Sequence, residues 1–195
     1  MQGCTKQIWS CDFLLVPVLT LFSIKHFHVL VFIQYCTRRI KIVGIREQPD
    51  GEWMEQIAKN ITDRFEPMLT NCKYLVHDRD PLYTLKFAQT LKDFGITPIK
   101  TPPRSPNLNP YAERVIRSIK EECLNNLIIF GESNLRRILK NYIEHYHLER
   151  CHQGIENKII ESENETLKHS QDSDDPIEIK ERIGGLLKYY YRQSA

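Results

Sequence analysis

The sequence lacks the motifs of several common enzyme classes. It has no glycine-rich phosphate loop, no Gly-x-Ser-x-Gly nucleophile elbow, no heptad run and no internal repeat. Its six cysteines stand singly, without the close pairs of structural zinc sites, which favours buried, reduced thiols in a reducing compartment. The net charge of +2 is too small to indicate a nucleic-acid partner by itself, so that argument must come from local clustering.

Long uninterrupted hydrophobic runs are also missing. Residues 13–33 at first resemble a membrane span or signal sequence, but Pro17 breaks the run, Lys25 and two histidines interrupt it, and no small-residue cleavage site follows. Two buried strands joined by a turn explain the segment better, so we expect no membrane association. With 195 residues, 41% hydrophobic and 27% charged, the chain is expected to be one soluble globular domain with room for a small appendage.

Hydrophobic periodicity predicts three strands, then alternating helices and strands. A tight link at 36–38 makes the first three strands an antiparallel meander, and Gly95 is expected to end the second helix. Asn109 is a good N-cap and Pro110 suits the first position of the third helix. The expected strands are Ile8 to Val18, Phe27 to Tyr35, Arg39 to Ile45, Tyr74 to His77 and Thr97 to Lys100. The expected helices run from about Trp53 to near Pro67, from Leu82 to Phe94, from Pro110 to at least Leu127, where the apolar period ends, and from Glu132 to His147.

Three acidic residues occupy unusual places in this pattern. Asp12 is the only charge in the first strand, and a lone carboxylate in a buried strand is costly unless it is paired or bound to a cation. The strand therefore either holds a metal ligand or is frayed at this point. Asp78 ends another buried strand, and the 34 residues between it and Glu113 leave enough chain for the two acids to meet.

Glu113 has two basic neighbours on the same helix. Arg117 and Lys120 follow it at i+4 and i+7, which places one carboxylate and two cations on one face. That arrangement suits a metal ion facing a phosphate chain. The alternative is a solvated helix face with a Glu–Arg pair, which stabilises a helix by only about 0.2–0.5 kcal/mol.

The composition changes beyond Gly154. Residues from Glu161 to Pro176 are acidic and predict a flexible linker, and the tail from Lys188 to Arg192 is basic and aromatic. The tail suits either DNA contact or a strand that completes a small tail motif. A zinc site from His147, Cys151 and His152 is conceivable, but no clean four-ligand spacing exists, and packing or DNA-backbone contact is favoured.

Several segments in this order resemble the integrase core of bacterial insertion-sequence transposases, which are related to retroviral integrases. The resemblance implies an α/β, ribonuclease H-like fold, with a five-stranded mixed sheet (an antiparallel meander, then parallel strands) flanked by helices. It implies an integrase catalytic core at 1–155, followed at 156–195 by the acidic linker and the basic aromatic tail. The segments are Ser10-Cys-Asp-Phe, Thr37-Arg-Arg, Pro49-Asp-Gly-Glu-Trp, His77-Asp-Arg-Asp-Pro, Pro102-Pro-Arg-Ser-Pro-Asn-Leu-Asn-Pro-Tyr-Ala-Glu-Arg, Lys120-Glu-Glu-Cys-Leu and His145-Tyr-His-Leu-Glu-Arg-Cys-His-Gln-Gly.

The resemblance also assigns roles to individual residues. Asp12, Asp78 and Glu113 match the acidic triad that is catalytic and binds metal, with two Mg²⁺ ions, or Mn²⁺ as a substitute. Asp80 is a rival for Asp78, but it gives a shorter interval to Glu113 than the family spacing. The expected DNA-binding residues are Arg104, Arg114, Arg117 and Lys120.

The function implied is that of a DDE-type transposase or integrase, which cleaves DNA and transfers strands without a covalent enzyme intermediate. The implied partners are transposon ends, target DNA and further copies of the chain, as a homodimer or higher multimer, in the cytoplasm or on the nucleoid. Two alternatives remain, a nuclease of the same fold and a non-catalytic DNA-binding remnant of a truncated transposase. The second is supported because the first strand begins close to residue 1 and because Gln34 replaces an acid expected from the family.

Overall fold

A five-stranded mixed sheet forms the centre of the protein. The computed structural model describes residues 6–63, 69, 71–103, 108–161 and 176–192. The strand order is β3-β2-β1-β4-β5, in which the first three strands pair antiparallel while β4 runs parallel to β1 and β5 parallel to β4. The predicted meander followed by parallel strands is therefore confirmed. The strands are β1 (Ile8–Leu19), β2 (Ile24–Gln34), β3 (Ile40–Arg46), β4 (Tyr74–His77) and β5 (Thr97–Lys100).

Helices cover both faces of this sheet. Helices α1 (Gly51–Ile61) and α2 (Leu85–Asp93) pack on one face, and α3 (Pro110–Glu122) and α4 (Gly131–Leu148) pack on the other. The side chains of β1 alternate between the two layers. Trp9 and Cys11 join the α1/α2 core, whereas Leu14, Val16 and Val18 join the α3/α4 core. Burial on both faces explains why β1 reads as a nearly continuous apolar run.

The helix boundaries follow local capping chemistry. Helix α2 begins at Leu85, three residues later than predicted, because the Thr84 hydroxyl accepts the backbone N–H of Phe87 at 3.2 Å and caps the helix there. Gly95 follows that helix with φ of +78°, as expected for a residue that ends a helix in the left-handed conformation. Helix α1 ends at Ile61, and the segment around Pro67 lies outside the described residues.

The third helix begins at Pro110 as predicted, but Asn109 does not cap it. No side-chain capping hydrogen bond forms at this end of α3, so that part of the prediction is wrong. The helix is also shorter than its apolar periodicity suggests. It ends at Glu122, and Cys123 is buried at the C-cap position.

A register shift bends the sheet beside the strand that carries Asp12. Between β2 and β3 the pairing slips by one residue at Leu30/Val31, and Gly44 lies at this irregularity. A Cβ atom at Gly44 would overlap the indole ring of Trp53 and approach Ile57 Cδ1 to 2.9 Å. Glycine is therefore required here by the close approach of α1.

The C-terminal part forms a hairpin that is joined to α4 by ion pairs. Strands β6 (Ile177–Arg182) and β7 (Leu187–Arg192) make a separate two-stranded sheet, so the strand interpretation of the tail is confirmed. Arg182 donates to Glu144 at 2.6 Å and to Glu149 at 2.8 Å. The linker predicted before the hairpin lies mostly at 162–175, outside the described residues.

The histidines near the end of α4 take part in packing. His147 Nε2 accepts the backbone N–H of Ile40 at 3.0 Å, and His152 Nε2 donates to the Tyr146 carbonyl at 2.7 Å. These contacts support the packing interpretation over the zinc alternative. None of the helices in the described ranges is long and apolar enough to cross a membrane.

Candidate active site

Asp12 stands near the middle of the sheet. It pairs with Val31 across the antiparallel β1–β2 ladder, and its position in the alternation of β1 places it on the face that α3 and α4 cover. The side chain is half-buried, and its Oδ1 accepts the backbone N–H of Phe13 at 2.7 Å. The carboxylate is therefore held at the sheet surface under α3.

Asp78 directly follows β4, the strand that runs parallel to β1. The register pairs Ser10 with Val76, and continuing it by two residues brings Asp78 level with Asp12. The Oδ1 atom of Asp78 accepts the backbone N–H of Asp80 at 3.1 Å. Each aspartate thus lies two residues beyond the last paired residue of two neighbouring parallel strands.

Asp80 makes local hydrogen bonds of its own. Its Oδ1 accepts the backbone N–H of Leu82 at 2.8 Å, and its carbonyl oxygen accepts the N–H of Tyr83 at 3.1 Å. This is an Asx-type turn, which leads the chain from β4 toward α2. Asp78 makes the same kind of contact with the N–H of Asp80, so this geometry does not separate the two acids, and the choice of Asp78 stays a prediction.

A long-range hydrogen bond anchors the start of α3 beside Asp12. The buried amide of Asn109 donates to the carbonyl oxygen of Cys11 at 3.1 Å, and the N–H of Glu113 donates to the Asn109 carbonyl oxygen at 3.2 Å. One residue thus ties the first turn of α3, which carries Glu113, to the residue before Asp12. Sequence reasoning missed this role because an Asn before a helix-starting Pro matches the ordinary N-cap pattern.

The electrostatics of Asp12 show that the acids share one neighbourhood. The pKa of Asp12 is raised to about 6, chiefly by burial and in part by the charges of Asp78, Glu113 and Asp80, against the opposing hydrogen bond from the Phe13 N–H. A nearby cation would offset this repulsion. Within the described ranges, however, no group of three or more His, Cys, Asp or Glu side chains forms a ready-made metal cluster.

The predicted DNA-binding residues divide into two groups. Arg117 and Lys120 are exposed on the helical face that also carries Glu113, and no ion pair joins Glu113 to Arg117 among the described residues. Arg114, which is also exposed on α3, lines a cleft together with Arg38. The fourth predicted residue, Arg104, lies outside the described residues.

Comparisons with known proteins identify a related family and fold. Residues 94–159 match the integrase core domain family model. No curated protein sequence matches the chain. Among solved structures, the catalytic domain of the Mos1 mariner transposase is similar with a TM-score of 0.55 and 13% identity, over 71% of this chain and 70% of that chain.

Retroviral structures give the same result. The HTLV-2 integrase catalytic core domain in complex with magnesium has a TM-score of 0.56 and 11% identity, over 80% of this chain and 93% of that chain. A chain of the simian T-cell lymphotropic virus intasome in complex with the PP2A regulatory subunit B56 gamma has a TM-score of 0.54 and 15% identity, over 75% of this chain. The present chain spans half the length of that intasome chain. Residues 94–159 are thus similar to an integrase core domain, and the chain has the ribonuclease H-like fold of integrase and mariner transposase catalytic cores.

Proposed function

We propose that the chain is a divalent-metal-dependent polynucleotidyl transferase of the DDE transposase and integrase type, which cleaves DNA and transfers the cut strand. The observation that carries the proposal is the placement of three acids: Asp12 lies within β1, Asp78 directly follows the neighbouring parallel strand β4, and Glu113 lies in the first turn of α3, which a hydrogen bond ties to β1. These positions are remote in sequence, and the charges of Asp78 and Glu113 both act on the Asp12 carboxylate. The integrase core match over 94–159 supports the same reaction class.

The donor chemistry fits Mg²⁺. Carboxylate oxygens are the hard ligands this ion prefers, and it usually takes one or two of them, with waters and substrate phosphates completing the shell. In our proposal Asp12 and Asp78 hold one ion, and Asp12 and Glu113 hold a second, so each ion needs only two side chains. The buried Oδ1 of Asn109 has no hydrogen-bond partner among the described residues and offers a further oxygen beside the site. The related HTLV-2 core was solved with magnesium.

The proposed reaction is hydrolysis of a phosphodiester at an element end, followed by attack of the freed 3′-hydroxyl on target DNA, without a covalent protein intermediate. Bound ions would supply charge neutralisation at the phosphate and activation of the attacking oxygen. The residues of the chain itself position the first turn of α3 and the DNA backbone. Asn109 holds the first turn of α3 against β1, and the exposed Arg117 and Lys120 contact backbone phosphates beside Glu113.

A strand-transfer assay with pre-cut DNA ends and Mg²⁺ tests the proposal. Removing one ligand charge, in Asp78→Asn or Glu113→Gln, is expected to lower the rate of joining by on the order of 10²–10³-fold, since a metal contributes several kcal/mol to phosphoryl transfer. Glu121→Gln is the matched control, because Glu121 is an exposed acid on the same helix. Full activity in either triad variant would refute the assignment.

The same assay separates the alternatives. A nuclease of the same fold would cut intact DNA but give no joined product from pre-cut ends. A non-catalytic remnant would bind DNA and form neither product in Mg²⁺ or Mn²⁺.

The proposal extends to the partners, the oligomeric state, the location and the domain boundaries of the chain. We propose that transposon ends and target DNA are the partners, that the chain acts as a homodimer or higher multimer, and that it works in the cytoplasm on the nucleoid. The catalytic core is proposed to occupy 1–155. The hairpin β6–β7 is proposed to be an appendage, which is supported by its separate sheet and by its attachment to α4 through Arg182.

A further inference from the structure

A small cleft beside α3 is lined by basic residues. It has a volume of about 80 Å³ and lies between the β2–β3 turn, α3 and the segment after α4. Three arginines, Arg38, Arg114 and Arg150, contribute to its walls, and no Asp or Glu is among the described residues that line it. The volume is about half of the ~150 Å³ that admits benzene, so it suits a compact polyatomic ion rather than a base or a drug-sized ligand.

Arg38 is held rigidly toward this cleft. Its backbone adopts a positive φ of 63°, which is unfavourable for a side chain with a Cβ. Its guanidinium lies over the ring of Tyr111 with 4.1 Å from Cζ to the centroid, and a Cβ at Gly154 would lie 3.2 Å from its Nε. The group is thus confined between an aromatic ring and a glycine backbone.

One donor of this confined group is unused. The Nη1 atom of Arg38 is buried and has no hydrogen-bond partner among the described residues. A buried guanidinium N–H without an acceptor is costly, and structures rarely keep one without a reason. An anion bound beside this guanidinium would offset that cost by pairing with its charge.

The opposite wall is organised by Arg150. Its guanidinium donates to Glu122 at 2.6 and 3.0 Å, which neutralises its charge, and its Nη1 donates to His152 Nδ1 at 3.2 Å. Arg114 is exposed on α3, and no ion pair to it is found in the described part of the chain. The cleft therefore keeps two uncompensated positive charges, from Arg38 and Arg114.

We propose that this cleft is a phosphate-binding site in which the guanidinium groups of Arg38 and Arg114 hold the oxygens of one phosphate group. Arginine suits this task because its planar fork matches phosphate oxygens. The phosphate is either a free anion or part of a DNA backbone. The DNA source rests on the proposed function, whereas binding of a free anion does not.

Thermal melting in inorganic phosphate, against chloride at the same ionic strength, tests the site without DNA or metal. We expect phosphate to stabilise the wild type with an apparent affinity at least about tenfold above that of Arg38→Met, which loses a charge-assisted hydrogen bond. Arg39→Met is the matched control, because Arg39 lies in the same turn but pairs with Glu161 outside the cleft. Equal stabilisation of all three proteins would show only a general salt effect and would overturn the proposal.

Arg114→Met gives a second variant that does not depend on the tight packing of Arg38, and it too must weaken phosphate binding. Duplex DNA then distinguishes the sources. If the phosphate belongs to DNA, Arg38→Met reduces the slope of log affinity against log salt by about 1, and if it is a free anion, the slope is unchanged. Asp78→Asn must keep its phosphate response, so failure of the proposed catalysis and failure of this site give different results.

Discussion

Replacing Asp12 by asparagine is expected to stabilise the metal-free protein while abolishing strand transfer. The ordinary pKa of this group is 3.8, and burial together with nearby acids raises it to about 6 in the fold. At pH 7.5 the folded protein therefore carries a carboxylate that its environment disfavours. The difference of about 2 pKa units corresponds to roughly 3 kcal/mol at most, which an isosteric neutral amide would recover.

The sign of the pH dependence follows from the raised pKa. The folded state holds the proton more tightly than the unfolded state, so the stability contribution is complete below about pH 4 and is lost as pH rises through about 6. The stability gap between Asp12→Asn and the wild type should thus be largest at pH 7.5 and about half as large at pH 5. Comparing two proteins at each pH cancels the titration of all other groups.

Urea denaturation in EDTA at the two pH values measures this gap. Asp93→Asn, at the exposed end of α2, serves as the control and should change the free energy of unfolding by less than about 0.5 kcal/mol. Adding Mg²⁺ should stabilise the wild type more than Asp12→Asn, because only the former keeps the shared ligand. A variant that is no more stable at pH 7.5, or a gap that does not depend on pH, would refute the electrostatic reasoning.

Three further substitutions probe other contacts. Gly44→Ala should destabilise the fold by about 1–3 kcal/mol in denaturant titrations, because its Cβ would overlap the Trp53 ring; a neutral result would contradict the close packing. Asn109→Ala should raise the free-energy barrier of strand transfer by more than it lowers the free energy of unfolding, because the amide fixes α3 to β1. Equal changes in these two free energies would disprove a positioning role. Arg182→Met should cost about 1.5–3 kcal/mol in urea at pH 7, because the buried Glu149 carboxylate loses its hydrogen bonds to Arg182 but keeps Lys180 and His145; an unchanged midpoint would show that the hairpin is held otherwise.

Local chemistry explains the features of the fold that could be predicted. The strand β1 was recognised because a strand covered on both faces must be apolar on both, and Asp12 was conspicuous as the single exception. Pro110 set the start of α3 because its fixed φ and missing N–H suit only the first turn of a helix. Such rules act within a few residues, so periodicity and spacing report them directly.

The two ends of α3 differ from the sequence-based expectation for specific reasons. Asn109 fits the N-cap pattern of its own helix, yet its side-chain amide donates to the carbonyl oxygen of Cys11, 98 residues earlier. The extension of α3 past Glu122 failed because Cys123 is buried in the core after the helix ends, so the apolar period continues without the helix. Local preference is a weak guide wherever a distant partner competes for the same group.

The sequence by itself determined the element order, the antiparallel meander and the three candidate acids, because apolar alternation, glycine and proline punctuation, and a lone charge in a buried strand are local signals. Only the tertiary structure decided where those acids lie and what surrounds them. The parallel register sets Asp78 level with Asp12, and the fold brings Arg38 over Tyr111 beside Gly154. Contacts between distant segments depend on the whole chain closing on itself, and no spacing along the chain records them.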